Sequence, residues 1–137
     1  SVEKFDGTSW IPGPDLLTAR YGLGLASHNG FLYAVGGAAG MTTIGSVEKF
    51  DGTSWTAGTA LPAARAVFGL ASHNGLLYAV GGSHDGMTTI GSVEKFDGTS
   101  WIPGPDLLTA RYGLGLASHN GFLYAVGGAA GMTTIGS

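Results

Sequence analysis

The side chains able to do chemistry recur at near-constant intervals along the chain. Histidine stands at 28, 73 and 119, each time inside Ser-His-Asn-Gly, and arginine stands at 20, 65 and 111. Glu3, Glu48 and Glu94 fall in Val-Glu-Lys-Phe, and Asp6, Asp51 and Asp97 open Asp-Gly pairs. Groups spaced this way are spread around an array instead of converging on one point, so the three histidines read as solvated turn residues. The glutamates read as exposed outer-strand residues beside lysines, and the aspartates as turn formers. Only Ser83-His84-Asp85 breaks the pattern. Three consecutive loop residues cannot form a nucleophilic triad, whose members come from different elements. One histidine and one aspartate are also too few for a metal site, so His84 is at most the residue through which a metal or a proton could link two particles. With no cysteine, thiolate and zinc-thiolate chemistry is excluded. The expectation is no catalytic residue, no resident metal and no cofactor.

The elements carrying these residues must turn often. Of 137 residues 26 are glycine, 11% are charged and 44% are hydrophobic, a composition too apolar for disorder and without the three-residue glycine period of collagen. Apolar runs such as Phe31 to Val35 stop at Gly36-Gly37, far short of the roughly 20 residues of a spanning helix, so no membrane partner is expected. Net charge is −3 with six basic residues spread evenly, which gives no footprint for nucleic acid. The opening residues Ser1 to Phe5 lack a signal-peptide pattern, and the compartment stays open.

SVEKFDGTSW begins at Ser1, Ser46 and Ser92, dividing the chain into repeats 1–45, 46–91 and 92–136, with Ser137 opening another copy. The first and third repeats are identical, whereas the second differs at twelve positions and carries the extra Asp85. Natural repeats drift independently, so verbatim identity points to an engineered, symmetrised sequence. Within a repeat, Asn29-Gly30 between apolar stretches predicts a tight hairpin, and Phe50-Asp51-Gly52 a second one ending near Trp55. Gly36-Gly37 closes the second strand, and Pro12, Pro14 and Pro62 break the chain after the fourth. Four strands per repeat of this length make one propeller blade. Gly22, Gly24 and Ala26 suit a crowded innermost strand beginning at Tyr21, and Gly36-Gly37 leave room for a neighbouring ring, expected to be a tryptophan.

The run Leu32-Tyr33-Ala34-Val35-Gly36-Gly37, then Val47-Glu48-Lys49-Phe50 and Trp55, resembles the kelch repeat, and it recurs at Leu77 to Gly82 and Leu123 to Gly128. The whole chain is similar to the kelch propellers of the Kelch-like ubiquitin-ligase adaptors, with phenylalanine where that family usually has tyrosine and a short turn before Trp55. The resemblance implies an all-β, kelch-type β-propeller. It also implies that Arg20, Arg65 and Arg111, with Tyr21 and Tyr112, lie on the face where those adaptors capture acidic peptides. Here Ala38-Ala39-Gly40 and Ala129-Ala130-Gly131 empty the neighbouring loop of side-chain donors, so the arginines are expected to brace the loops through backbone carbonyls, with peptide capture as the lesser reading. Kelch repeats also occur in a copper radical oxidase, whose cross-linked cysteine and histidine cluster have no counterpart here.

In kelch order a blade starts with the strand after Tyr21, yet this chain starts with the third strand of a blade. Residues 1–17 therefore read as two outer strands, and 112–128 as two inner ones. Three repeats are too few to close a propeller, and an open edge is a template for pairing. The expected solution is a homodimer of six blades, two of them hybrids of 112–128 from one chain and 1–17 from the other. Its interface would comprise Val2, Glu3, Lys4, Phe5 and Trp10 against Phe122, Leu123, Tyr124, Ala125 and Val126. Because two like repeats meet at each seam of such a ring, half of a longer six-repeat chain is the competing reading. The function expected is that of a self-associating scaffold without catalytic activity, with an acidic-peptide module as the alternative.

Overall fold

The computed structural model of the chain describes residues 1–130 and 133–134. Its strands are β1 (Val2–Phe5), β2 (Trp10–Gly13), β3 (Gly24–His28), β4 (Phe31–Val35), β5 (Ala38–Ala39), β6 (Thr42–Thr43), β7 (Val47–Phe50) and β8 (Trp55–Ala57). They continue with β9 (Gly69–His73), β10 (Leu76–Val80), β11 (Val93–Phe96), β12 (Trp101–Gly104), β13 (Gly115–His119), β14 (Phe122–Val126), β15 (Ala129–Ala130) and β16 (Thr133–Thr134).

Two loop chemistries set the strand pairing. Asn29 at φ 48° and Gly30 at φ 83° form a two-residue turn that places His28 opposite Phe31, and Asn74 and Asn120 do the same in the later repeats. At the next corner Asp51 Oδ1 accepts the N–H groups of Thr53 and Ser54 at 2.8 and 3.0 Å, folding the loop that joins Phe50 to Trp55. Asp6 and Asp97 repeat it. Two four-stranded antiparallel sheets result, β3-β4-β7-β8 and β9-β10-β11-β12, each drawing strands from two successive repeats. β1-β2 and β13-β14 remain two-stranded sheets. The pairs β5-β6 and β15-β16 add a small hairpin, absent from the sequence reading, after the double glycine of repeats one and three. In repeat two Ser83 bridges Ala66 and Thr89 instead.

The sheets pack face to face in chain order. Tyr33, Val35 and Val47 of the first meet Phe68, Leu77, Phe96 and Trp101 of the second in one core, and Val80 and Val93 meet Leu114 in another. Contact at the inner strands is so close that a Cβ on Gly24 would lie 2.6 Å from Leu70 Cβ, and one on Gly69 2.8 Å from Leu116 Cβ.

Four sequence expectations need correction. The innermost strand begins at Gly24, with Tyr21 instead bridging Ala38. The ring against Gly36 is Phe68, not a tryptophan, and the Arg65 carbonyl lies closer still. His28 is buried, 4% exposed, edge-on to Tyr33 and beside Phe96, whereas His119 is exposed. Glu48 is buried too, because a loop some thirty residues earlier in the chain covers it.

Candidate functional site

Each arginine ahead of an inner strand turns inward. Arg20 donates from Nη1 to the carbonyls of Gly36 and Ser46 at 3.0 and 2.8 Å and from Nη2 to Glu48 Oε2 at 2.7 Å. That carboxylate also receives the backbone N–H groups of Leu17 at 2.6 Å and Thr18 at 3.1 Å, so a buried ion pair ties the loop to β7. Arg65, 1% exposed, donates to the carbonyls of Gly81 at 3.1 Å and Ser92 at 2.9 Å, and its burial holds its pKa below the ordinary guanidinium value while Glu94 opposes that shift. Arg111 donates to the Gly127 carbonyl at 3.2 Å. Tyr21 is exposed and its hydroxyl donates to the Gly40 carbonyl at 2.9 Å; Tyr112 bridges Ala129. The side chains of Arg20 and Arg65 are each about 1% exposed, so an acidic peptide reaches them only if the covering loops open.

The loop of repeat two lacks the cradle that the corresponding loop of repeat one builds for Glu48. Pro62 stands where repeat one has Leu17, and proline has no N–H to give. Glu94 Oε1 is accordingly buried with no hydrogen-bond partner. Nothing in the repeat pattern alone announced this; comparing Leu17 with Pro62 and looking for the acceptor would have found it.

The inserted loop is self-contained. Asp85 Oδ1 accepts the N–H groups of Met87 and Thr88 at 2.8 and 2.7 Å, which together hold its carboxyl below the usual range, and His84 Nδ1 lies 2.6 Å from the Ala64 carbonyl. Among the described residues, no group of three or more His, Asp or Glu could hold a metal ion.

The two ends of the array carry exposed apolar side chains and unpaired strand edges. β1 pairs only with β2, and β14 only with β13. Side chains that are buried inside the array are open here: Phe5 is 53% and Trp10 65% exposed, against 3% for Phe96 and 8% for Trp101. Tyr124 is 47% exposed where Tyr33 is 5%. Beside β1 lies a cleft of about 440 Å³ walled by Val2, Leu23, Leu25, Leu32, Ala34 and Trp55. Beside β14 lies another of about 210 Å³, walled by Tyr78, Val80, Val93, Leu116 and Leu123 among others. The cleft beside β14 is apolar, the one beside β1 is mainly apolar with Glu3, Lys4 and Arg20 at its wall, and each ends in a strand edge with free ladder positions.

These features sit on a recognisable scaffold. The sequence model of the Kelch motif matches residues 64–108. No curated protein matches the chain. Among solved structures the chain is similar to the one titled "Structure of YjhT", a kelch-type propeller, with a TM-score of 0.77 at 13% identity. The match covers 91% of this chain and 43% of that one, so the chain spans less than half of that propeller. The chain therefore has an all-β, propeller-type fold carrying a Kelch motif.

Proposed function

We propose that the chain is a non-catalytic, self-associating scaffold, an engineered and symmetrised propeller in which two copies close a six-bladed ring. One observation carries this reading: the pairing that the open ends call for already exists inside the chain. β4 lies against β7 with Leu32 opposite Phe50, Tyr33 opposite Lys49, Ala34 opposite Glu48 and Val35 opposite Val47. β14 has the sequence of β4, and β1 has the sequence of β7. β14 of one copy against β1 of the other, with Leu123 opposite Phe5 and Val126 opposite Val2, reproduces that ladder and covers both open edges. The β13-β14 pair fills the 440 Å³ cleft and the β1-β2 pair fills the 210 Å³ cleft.

The share of the YjhT chain matched by one copy, 43%, supports two copies per ring. The meeting of like repeats at the seam is less of a conflict than the sequence implied. Gly69 packs on Leu114 and Leu116, and the residues awaiting Gly115 across the seam are Leu23 and Leu25, the same pair in repeat one. Identity of the first and third repeats supports the engineered origin. Acidic-peptide capture draws less support, because Arg20 and Arg65 are buried under their own loops.

Native mass spectrometry of a chain of these 137 residues tests the reading. A species of twice the 13.8 kDa chain mass is expected. Measured at low micromolar concentration, a monomer or a polydisperse series would overturn it.

A further inference from the structure

Resting on the two-copy ring, we infer that Glu3 latches each seam, its carboxylate buried in the other copy's loop 106–111 between Arg111 and the backbone N–H groups of Leu108 and Thr109. The template is the Glu48 cradle, where Leu17, Thr18 and Arg20 hold the carboxylate at 2.6 to 3.1 Å. Residues 106–111 repeat residues 15–20 exactly in sequence, Asp-Leu-Leu-Thr-Ala-Arg, and Val2–Phe5 repeats Val47–Phe50. In the ring ladder Glu3 lies opposite Ala125, as Glu48 lies opposite Ala34, which delivers its carboxylate to that loop.

The cradle belongs to the loop sequence and not to the array in general. Repeat two, with Pro62 and Ala63 in place of Leu17 and Thr18, leaves Glu94 Oε1 unpaired. Of the two loops that have the cradle sequence, the first holds Glu48. Among the described residues no acidic side chain forms an ion pair with Arg111, while Glu3 stands exposed on β1. One copy thus offers an unfilled cradle at one end and an unhoused glutamate at the other. Other charged groups of β1 and its neighbours do not compete for the position: Lys4 takes the opposite face of the strand, and Asp6 is held in its own turn. Asp15 lies near the amino terminus at 4.0 Å, with both groups largely exposed.

The test is the dimer dissociation constant from a sedimentation dilution series of the full chain and two variants. Both substituted positions are exposed in the protomer, so the protomer fold is undisturbed. Glu3→Gln leaves Arg111 buried against a neutral group at both seams and is expected to raise the dissociation constant on the order of a hundredfold. Leu108→Pro, which copies Pro62, removes one donor per seam and is expected to raise it about tenfold. A Glu3→Gln value within about twofold of the parent would overturn the latch while the ring stands. A parent chain that stays monomeric would remove the ring itself, and the latch with it.

Discussion

Val67 donates its backbone N–H to the carbonyl of Gly22 at 2.8 Å, and its own carbonyl accepts the N–H of Gly113 at 2.7 Å. These bonds run from one inner strand entrance to the next, and they fix Val67 at φ 50°, where Gly22 and Gly113 sit at 63° and 66°. A β-branched residue in this left-handed region is strained by contact of Cβ with the backbone. The Val67 side chain is 40% exposed and repays little of that in packing. Val67→Gly is therefore expected to stabilise the fold by about 1 kcal/mol, the relief of strain exceeding the extra freedom glycine brings to the unfolded chain. Urea unfolding would read it, and a lower midpoint would contradict it.

Pro62→Leu should act in the same direction for a different reason. It restores the N–H that Glu94 Oε1 lacks, a charge-assisted bond whose gain over the lost proline rigidity amounts to about 1 kcal/mol. In a Glu94→Gln background the gain should shrink. Equal gains in both backgrounds would assign the effect to something other than the carboxylate.

Arg65 is expected to be among the costliest residues to remove. Arg65→Met keeps the volume but takes the donor from the Gly81 carbonyl and one of the two donors from the Ser92 carbonyl, which retains the Gly81 N–H. A loss of at least about 3 kcal/mol is expected in thermal or urea unfolding. A loss under about 1 kcal/mol would show that water replaces the guanidinium there.

Acid should weaken the loops through their aspartates. Backbone N–H groups hold the carboxyls of Asp6, Asp51, Asp85 and Asp97 below the ordinary value of 3.8. A carboxyl whose pKa is lower in the folded than in the unfolded chain contributes stability above the unfolded value and loses it as pH falls through the folded one. Stability should therefore decline below about pH 4. Asp51→Asn with Asp97→Asn, which keeps the Oδ1 acceptor, should flatten that decline. An unchanged slope in urea midpoint against pH would contradict the assignment.

The four main strands of each repeat and their tight turns were legible because they depend on neighbours in sequence, whereas the start of the inner strand at Gly24 and the β5-β6 hairpin were not. Asn29-Gly30 and Asp51 form the turns their chemistry dictates. Burial of the chemical groups was not legible, because it depends on place in the array. His28, His73 and His119 have the same local sequence, yet the first is buried beside Phe96 of the next sheet and the last is exposed. Glu48 looked like an outer-strand surface residue because the loop that covers it, at Leu17 and Thr18, lies about thirty positions away. The propeller-type fold was readable from the repeat; the ion pair of Arg20 with Glu48 required the sheets to be assembled first.

On the proposed two-copy reading, the open edges would make each copy a bifunctional monomer in the polymer chemist's sense, with one donor end and one acceptor end. Such a monomer can grow into a chain or cyclise, and the balance is set by effective concentration. Once the first seam joins two copies, the second pair of ends is held on one particle at a local concentration on the order of millimolar. Below that bulk concentration cyclisation outruns growth, and above it open multimers compete. On that reading the exposed edge strands at Phe5 and Tyr124 would make the particle's size a matter of how the protein is concentrated and in what order, as well as of its sequence.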